Sequence, residues 1–424
     1  TIDSFCLNIL RNNYMNLDID PGFRLADQGE LELIKADVMG ELLEKYYAGG
    51  NEDFYALINS YSGKKRDKAI EDLINKIYNY ARSYPWPHEW LQSCIDTGSA
   101  STVDEFNESL PAQYLFDYVT KYIQGSREKF RRLLDICKDV AGPDMYIDNI
   151  LSDLEGMDML LNTENISQWM ETAARIQFTD LSRKRGSGVD PDMKELVRNS
   201  RTKYRDSFRK LRDRLCSMSV EEYLRELSAN GAPLRMLITL ASEYMDAVDA
   251  AKKEKNIIDF NDIEHMACSL LVKHENDTDE YTQLADDLAS YYGEILIDEY
   301  QDSNMLQEMI LTAVSRGRLD SSRNNLFMVG DVKQSIYKFR LARPELFLDK
   351  YVKYPDADGC EVIELRNNFR SRSQVLYSVN SVFEKIMHRE CGGIEYTEDV
   401  RLNPGLEFAQ RTDSGMMDNR TSIR

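Results

Sequence analysis

Apolar residues recur at three-and-four spacing through most of the first 255 positions, the period of helices that bury one face. The pattern is clearest over 31–47, 64–84, 126–140 and 221–255, and breaks fall at Gly49-Gly50, Pro85-Trp86-Pro87, Gly142-Pro143 and Gly186-Ser187-Gly188. Ahead of it, Thr1–Tyr14 reads as a short strand or turn entering a helix. After Asn256 the texture changes to short apolar runs, each followed by acidic or glycine turns and then a helix. Glu294–Tyr300, Asn325–Asp331 and Cys360–Leu365 read as buried strands with polar residues at their C-terminal ends. Open α/β sheets hold their ligands at such ends, so the chemistry is expected there. The final residues, from Arg401 on, are polar and without period and read as loop or frayed terminus.

Length changes this picture by making it multi-domain, because 424 residues exceed one ordinary core. No run approaches a membrane-spanning length and the first residues carry no basic leader, so the expectation is a cytoplasmic protein with no membrane partner. The seven cysteines are scattered without a CxxC pair, which disfavours a zinc site or a disulfide scaffold. A net charge of -20 argues against nucleic-acid binding taken alone, yet one basic groove can grip a strand while the rest of the surface is acidic. The segment 175–214 reverses the sign, and it reads equally as a solvated helix face or a DNA-facing surface. His88 between Trp86 and Trp90 reads as a packed corner between helices rather than a metal or stacking site.

Three blocks carry the chemistry. In Glu294–Asp302 a hydrophobic run ends in Asp298-Glu299, where one carboxylate can hold Mg²⁺ through water and the next can deprotonate a water facing a γ-phosphate. Acidic residues also cap buried strands for no catalytic reason. In Val329–Arg340, Gly330-Asp331 permits a tight turn, Gln334 offers an amide to a γ-phosphate, and Tyr337 and Phe339 present rings suited to stacking on unpaired bases. The alternative is that these rings fill a core. In Leu365–Ser371, Arg370 supplies the forked donor preferred by phosphate, or else a surface ion pair.

In this order and spacing, DEYQD, GDxxQSIYxFR and NxFRS resemble motifs II, III and IV of superfamily-one DNA helicases of the UvrD/Rep type. Thr1–Cys6 resembles motif Ib, and Ile258–Ile263 resembles the DFxDL segment that returns the chain from a helical insertion to the motor. Asp3 in TIDSFC, KQSIYKFRLARPELF and IEYTEDVRLNPG are most similar to helicase/nuclease subunits of the AddA type.

The resemblance implies an α/β fold: a partial RecA-like P-loop motor core interrupted by a large all-α insertion, plus the start of a second RecA-like domain. Residues 1–27 would belong to the first motor domain, 28–255 to the insertion, 256–350 to the rest of that motor domain, and 351–424 to the second with a polar tail. It implies ATP and Mg²⁺ as cofactors, with Asp298 on the metal and Glu299 as general base. Gln334 and Arg370 would sense and stabilise the γ-phosphate; Thr1, Ser4, Tyr337, Phe339 and Arg340 would touch DNA. The implied function is ATP-driven translocation along single-stranded DNA and duplex unwinding in double-strand-break repair and recombination, beside a second, AddB-like subunit. No GxxxxGK[ST] occurs, and the nearest stretch, Ser62-Gly63-Lys64-Lys65, lacks the first Gly and the Ser/Thr. The expectation is therefore an internal piece of a longer enzyme, inactive alone. A UvrD-like helicase without a nuclease, or a DNA-binding remnant that has lost ATP turnover, stands as the alternative.

Overall fold

The computed structural model describes residues 1–17, 19–61, 66–97, 100, 102–184, 188–229, 231–276, 278–337, 339, 341–387, 396–398 and 400–406. The described chain is mostly helical, and its long helices lie where the apolar period is 3.6: Gln28–Gly49, Arg66–Ala81, Leu110–Lys138 and Gly231–Glu254. Gly142 allows the chain to fold back over the end of Leu110–Lys138, because a Cβ there would lie 2.1 Å from the Ile136 carbonyl oxygen. None of the described helices is long and apolar enough to cross a membrane. The residues fall into two compact units, one of 43–74 and 89–242, the other of 1–42, 75–88 and 243–424.

The first unit is helical around a core of Ile123, Phe130, Ile150, Met157, Trp169 and Phe208. Its basic helix, Pro191–Leu215, does not present every cation to solvent. Arg201 is buried and donates from Nε and Nη2 to the buried Asp153 carboxylate at 2.5 and 2.9 Å, and from Nη2 to the Thr179 carbonyl. This cation is thus a packing partner, held by the bidentate geometry that makes a buried guanidinium tolerable.

In the second unit the Thr1 side chain accepts the Ser4 N–H and caps a helix over Ile2–Asn13, so the opening segment is helical from its second residue rather than a strand or turn. That helix packs on Phe260–Leu271, which packs on Met305–Ala313, around Cys6, Leu10, Ile263, Leu271, Leu306 and Ile310. The described cysteines are free, and burial pushes the Cys6 and Cys268 thiols up to about 12. Trp86 stacks on His274 with centroids 4.5 Å apart, and its indole N–H donates to Asp279.

Buried charge fixes where the chain re-enters this unit. Strand β1 (Arg24–Leu25) pairs in parallel with β2 (Ile257–Ile258), joining the stretches that flank the long helical run. Directly after β2, Asp259 and Asp262 form a reciprocal capping box at the head of Phe260–Leu271. Both carboxylates are buried and meet two buried cations: Lys252 Nζ lies 2.6 Å from Asp262 and 3.3 Å from Asp259, and Arg82 Nη2 lies 2.5 Å from Asp262. Burial alone would push the Asp259 carboxyl up, but Lys252, the Asp262 backbone N–H and Arg82 hold it below the usual range.

The remaining strands also come in pairs: β3 (Val272–Glu275) antiparallel to β4 (Thr278–Tyr281), β5 (Ile295–Ile297) parallel to β6 (Leu326–Met328), and β7 (Asn367–Asn368) parallel to β8 (Asn403–Pro404). No sheet of more than two strands forms among the described residues. Two expectations are corrected here. The first two apolar runs are strands but not buried ones, because the face that carries the paired Leu296 and Phe327, 70% and 54% exposed, is left uncovered by the described residues. Cys360–Leu365 is not a strand at all: Ile363 and Leu365 are exposed, and pairing starts only beyond it, with the Asn403 N–H donating to the Arg366 carbonyl and β7 beginning at Asn367.

Two consequences are measurable. Asp262→Ala takes from Lys252 and Arg82 their closest carboxylate, leaving Asp249 to both and Asp259 to Lys252, and removes half of the capping box, so chemical denaturation should show a loss of about 3 kcal/mol; a loss below about 1 kcal/mol would contradict the buried pairing. Glu264 is buried beneath the opening helix, accepting from Gln307 Nε2 at 2.7 Å. Desolvation, with the Asp3 charge adding and the Gln307 bond opposing, raises its carboxyl from the usual 4.5 to about 7. Its folded pKa exceeds its unfolded one, so its stabilising contribution is full below about pH 4.5 and is lost as pH rises to about 7. Glu264→Gln should match wild type in unfolding free energy at the acid end and exceed it above pH 7, by on the order of 3 kcal/mol. Parallel curves for the two proteins would show that Glu264 is not buried in the charged form.

Candidate functional site

Strands β5 and β6 run parallel in the register Ile295↔Leu326, Leu296↔Phe327 and Ile297↔Met328, so the two chains leave the pair at the same edge. The Val329 N–H donates to the Ile297 carbonyl at 2.8 Å and the Tyr300 N–H to the Val329 carbonyl at 2.9 Å, carrying the pairing one step past the strands. Between them Asp298 and Glu299 are exposed. Glu299 lies in the left-handed region at φ 54°, ψ 40°, a conformation that costs a non-glycine residue on the order of 1–3 kcal/mol. Asp298 Oδ1 accepts the Glu299 N–H at 3.0 Å and steadies the turn.

The group that holds this edge together is Gln301, which is 0% exposed. Its Nε2 donates to Glu299 Oε2 at 2.6 Å and its Oε1 accepts the Asp331 N–H at 3.0 Å. Chemistry fixes the orientation of the amide, since a carboxylate only accepts and a backbone N–H only donates. Gly330 makes the approach possible: a Cβ there would lie 2.7 Å from Gln301 Oε1 and 3.2 Å from the Phe347 ring. Asp331 then gathers its own loop, accepting the Lys333 N–H at 3.1 Å, pairing with Lys333 Nζ at 2.9 Å, and accepting from Gln334 Nε2 at 3.0 Å. A continuous hydrogen-bonded path therefore runs from the Glu299 carboxylate to the Gln334 amide. Beside it, Asp302 Oδ1 is buried without a hydrogen-bond partner, and burial together with the Glu299 charge pushes the Asp302 carboxyl up. Behind it, Tyr300 bonds Glu308, which also accepts from Lys350 Nζ at 2.5 Å.

Downstream, Tyr337 and Phe339 lie 5.8 Å apart between centroids, tilted at 54°, and Phe339 is 75% exposed. Arg340 lies outside the described residues. Leu341 takes φ 64°, a strained position shortly after Phe339.

Residues 1–355 match the family described as UvrD/REP helicase N-terminal domain. The chain belongs to that family. Proteins named as ATP-dependent helicase/nuclease subunits of type A are similar along nearly its whole length. The one from Lachnoclostridium phytofermentans is 40% identical over 416 residues, 97% of this chain and 30% of that protein. Those from Acetivibrio thermocellus and Bacillus pumilus are 37% and 35% identical, over 96% and 98% of this chain and 33% and 34% of theirs. The chain thus spans about a third of the length of these relatives.

Of the residues marked out in the sequence, Asp298, Glu299 and Gln334 come together at the edge where β5 and β6 end. Arg370 does not join them: it is exposed, its N–H donates to Asn368 Oδ1 at 3.0 Å, and its guanidinium makes no ion pair among the described residues. Thr1 and Ser4 are exposed and bond each other at 3.0 Å at the head of the first helix. The sequence reading gave no role to Gln301. Its signal was there, as an amide two positions beyond the Glu that ends a strand, but a buried partner for that amide is visible only once β6 lies alongside. Phe339, so exposed, should contribute little to stability: Phe339→Ala is expected to change unfolding free energy by no more than about 0.5 kcal/mol. A loss of about 3 kcal/mol or more, the range for a buried Phe, would make it core filler.

Proposed function

We propose that this chain is part of an ATP-dependent DNA helicase/nuclease subunit, coupling ATP hydrolysis to movement along single-stranded DNA and to unwinding of duplex DNA in double-strand-break repair and recombination. The observation that carries the reading is the bonded path Glu299–Gln301–Asp331–Gln334 at the shared edge of β5 and β6. Family membership and the printed names of the relatives support it. On this reading 1–27 and 256–350 build one RecA-like motor domain, 28–255 is an all-helical insertion, and 351–424 begins a second motor domain. A second, AddB-like subunit is the proposed partner, and the cytoplasm the proposed location.

Each residue then has a task its geometry allows. Glu299, exposed and held by one Gln301 bond at Oε2, keeps lone pairs available to take a proton from a water at the γ-phosphate. The Gln334 amide, tethered to Asp331, would donate to the same phosphate. Asp298 is the carboxylate that would hold Mg²⁺. Its free oxygen and the unpartnered Asp302 Oδ1 fit a metal shared with water and phosphate, and no cluster of three or more metal-binding side chains lies among the described residues. Bound there, Mg²⁺ would neutralise charge on the β- and γ-phosphate oxygens. Arg370 would reach that phosphate from the second motor domain, and Tyr337, Phe339 and Arg340 would carry the sensor's movement to stacked bases, with Thr1 and Ser4 as further DNA contacts.

The deciding experiment uses the complete subunit that contains this segment, purified with its partner. Glu299→Gln should bind ATP with near-normal affinity while DNA-stimulated turnover falls by about 10²- to 10⁴-fold, the usual worth of a general base. Weakened ATP binding with an intact maximal rate would remove Glu299 from that role.

A further inference from the structure

We propose that Gln301 is a positioning residue for hydrolysis: its buried amide fixes the Glu299 carboxylate and registers it against the Asp331–Gln334 loop. The inference rests on Glu299 being the base, and it assigns a task to a wholly buried side chain behind it.

Three observations carry it. Gln301 is wholly buried, yet its two polar atoms bond the two loops that leave β5 and β6 rather than the core around it. Glu299 sits in a strained left-handed turn, so its carboxylate is not oriented by a relaxed backbone and needs an outside restraint. The 2.6 Å bond from Gln301 Nε2 is the one side-chain restraint on it among the described residues. Gly330 completes the case, because the backbone there is stripped of a Cβ that would have stood 2.7 Å from the same amide.

The amide does two things that no other side chain of its length does together. A donor on Glu299 Oε2 holds the carboxylate in one orientation and leaves Oε1 as the free basic oxygen. An acceptor on the Asp331 N–H fixes the start of the loop whose side chain holds Gln334. Loss of the amide would therefore loosen the base and the sensor at once, while the ATP contacts of Asp298 and of residues elsewhere stay in place. A glutamate at this position keeps the acceptor but sets a second negative charge against Glu299. A methionine of similar length keeps the volume and removes both bonds.

The test is single-turnover ATP hydrolysis by the complete, DNA-bound enzyme for wild type, Gln301→Glu, Gln301→Met and Glu299→Gln, with melting temperature and ATP affinity measured on the same preparations. Gln301→Glu and Gln301→Met should each lower the maximal rate per folded molecule by at least about 10-fold. ATP affinity should stay within about 3-fold of wild type for both, so that the loss falls on the rate and not on binding. A merely structural Gln301 gives a different result: lower melting temperatures, with the rate per folded molecule unchanged. A rate per folded molecule within about 2-fold of wild type for Gln301→Glu, or for Gln301→Met should the glutamate variant not fold, would overturn the proposal. Near-normal turnover by Glu299→Gln would instead overturn the assignment of the base, so the two failures are distinguishable.

Discussion

One buried amide governs the candidate site. A polar side chain with no exposed surface must find partners or forfeit on the order of 1–3 kcal/mol, and Gln301 finds one on each of two loops. Because the partners are a carboxylate and a backbone N–H, the amide can sit only one way round, and the loops can meet in only one register. The parallel pairing of β5 and β6 brings the two chains to a common edge, but strand pairing ends at Val329 and Tyr300 and says nothing about the residues beyond. Gln301 carries that register outward to Glu299, and Asp331 carries it on to Gln334.

The same need for partners governs the scaffold beneath. Asp259 and Asp262 lie in a segment whose likeness to family motifs invites a chemical reading, yet both carboxylates are occupied in capping a helix and neutralising Lys252 and Arg82. Four buried charges in mutual contact are sensitive to the loss of any one member. They draw Arg82 to Lys252, Asp259 and Asp262, which lie far along the chain from it, and hold the Phe260–Leu271 helix against which the opening helix packs.

Much of this was legible in the sequence, and where it was not the reason is physical. Helices emerged from periodicity because a 3.6-residue pattern is long and redundant, as in Arg66–Ala81. The strands Ile295–Ile297 and Leu326–Met328 emerged because each is an apolar run stopped by polar residues. Cys360–Leu365 looks the same on paper and forms no strand, since pairing depends on a neighbour in space and Ile363 and Leu365 have none to cover them. Asp298, Glu299 and Gln334 were visible as chemistry at strand ends. Gln301 was not, because its importance lies in contacts across about thirty residues of chain. Arg201 carried the opposite error: a cation in a basic run suggests a surface, and only the fold reveals the Asp153 that buries it.

The central claim is that the β5–β6 edge is where ATP is held and cleaved, with Glu299 and Gln334 acting on one phosphate. The most direct measurement is an experimental structure of the complete subunit with single-stranded DNA, Mg²⁺ and a non-hydrolysable ATP analogue. The expected result places the γ-phosphate between the Glu299 carboxylate and the Gln334 amide, the metal on the Asp298 side, and the Gln301 bonds intact. An analogue bound away from this edge, or one whose γ-phosphate touches neither Glu299 nor Gln334 directly or through one water, would contradict it.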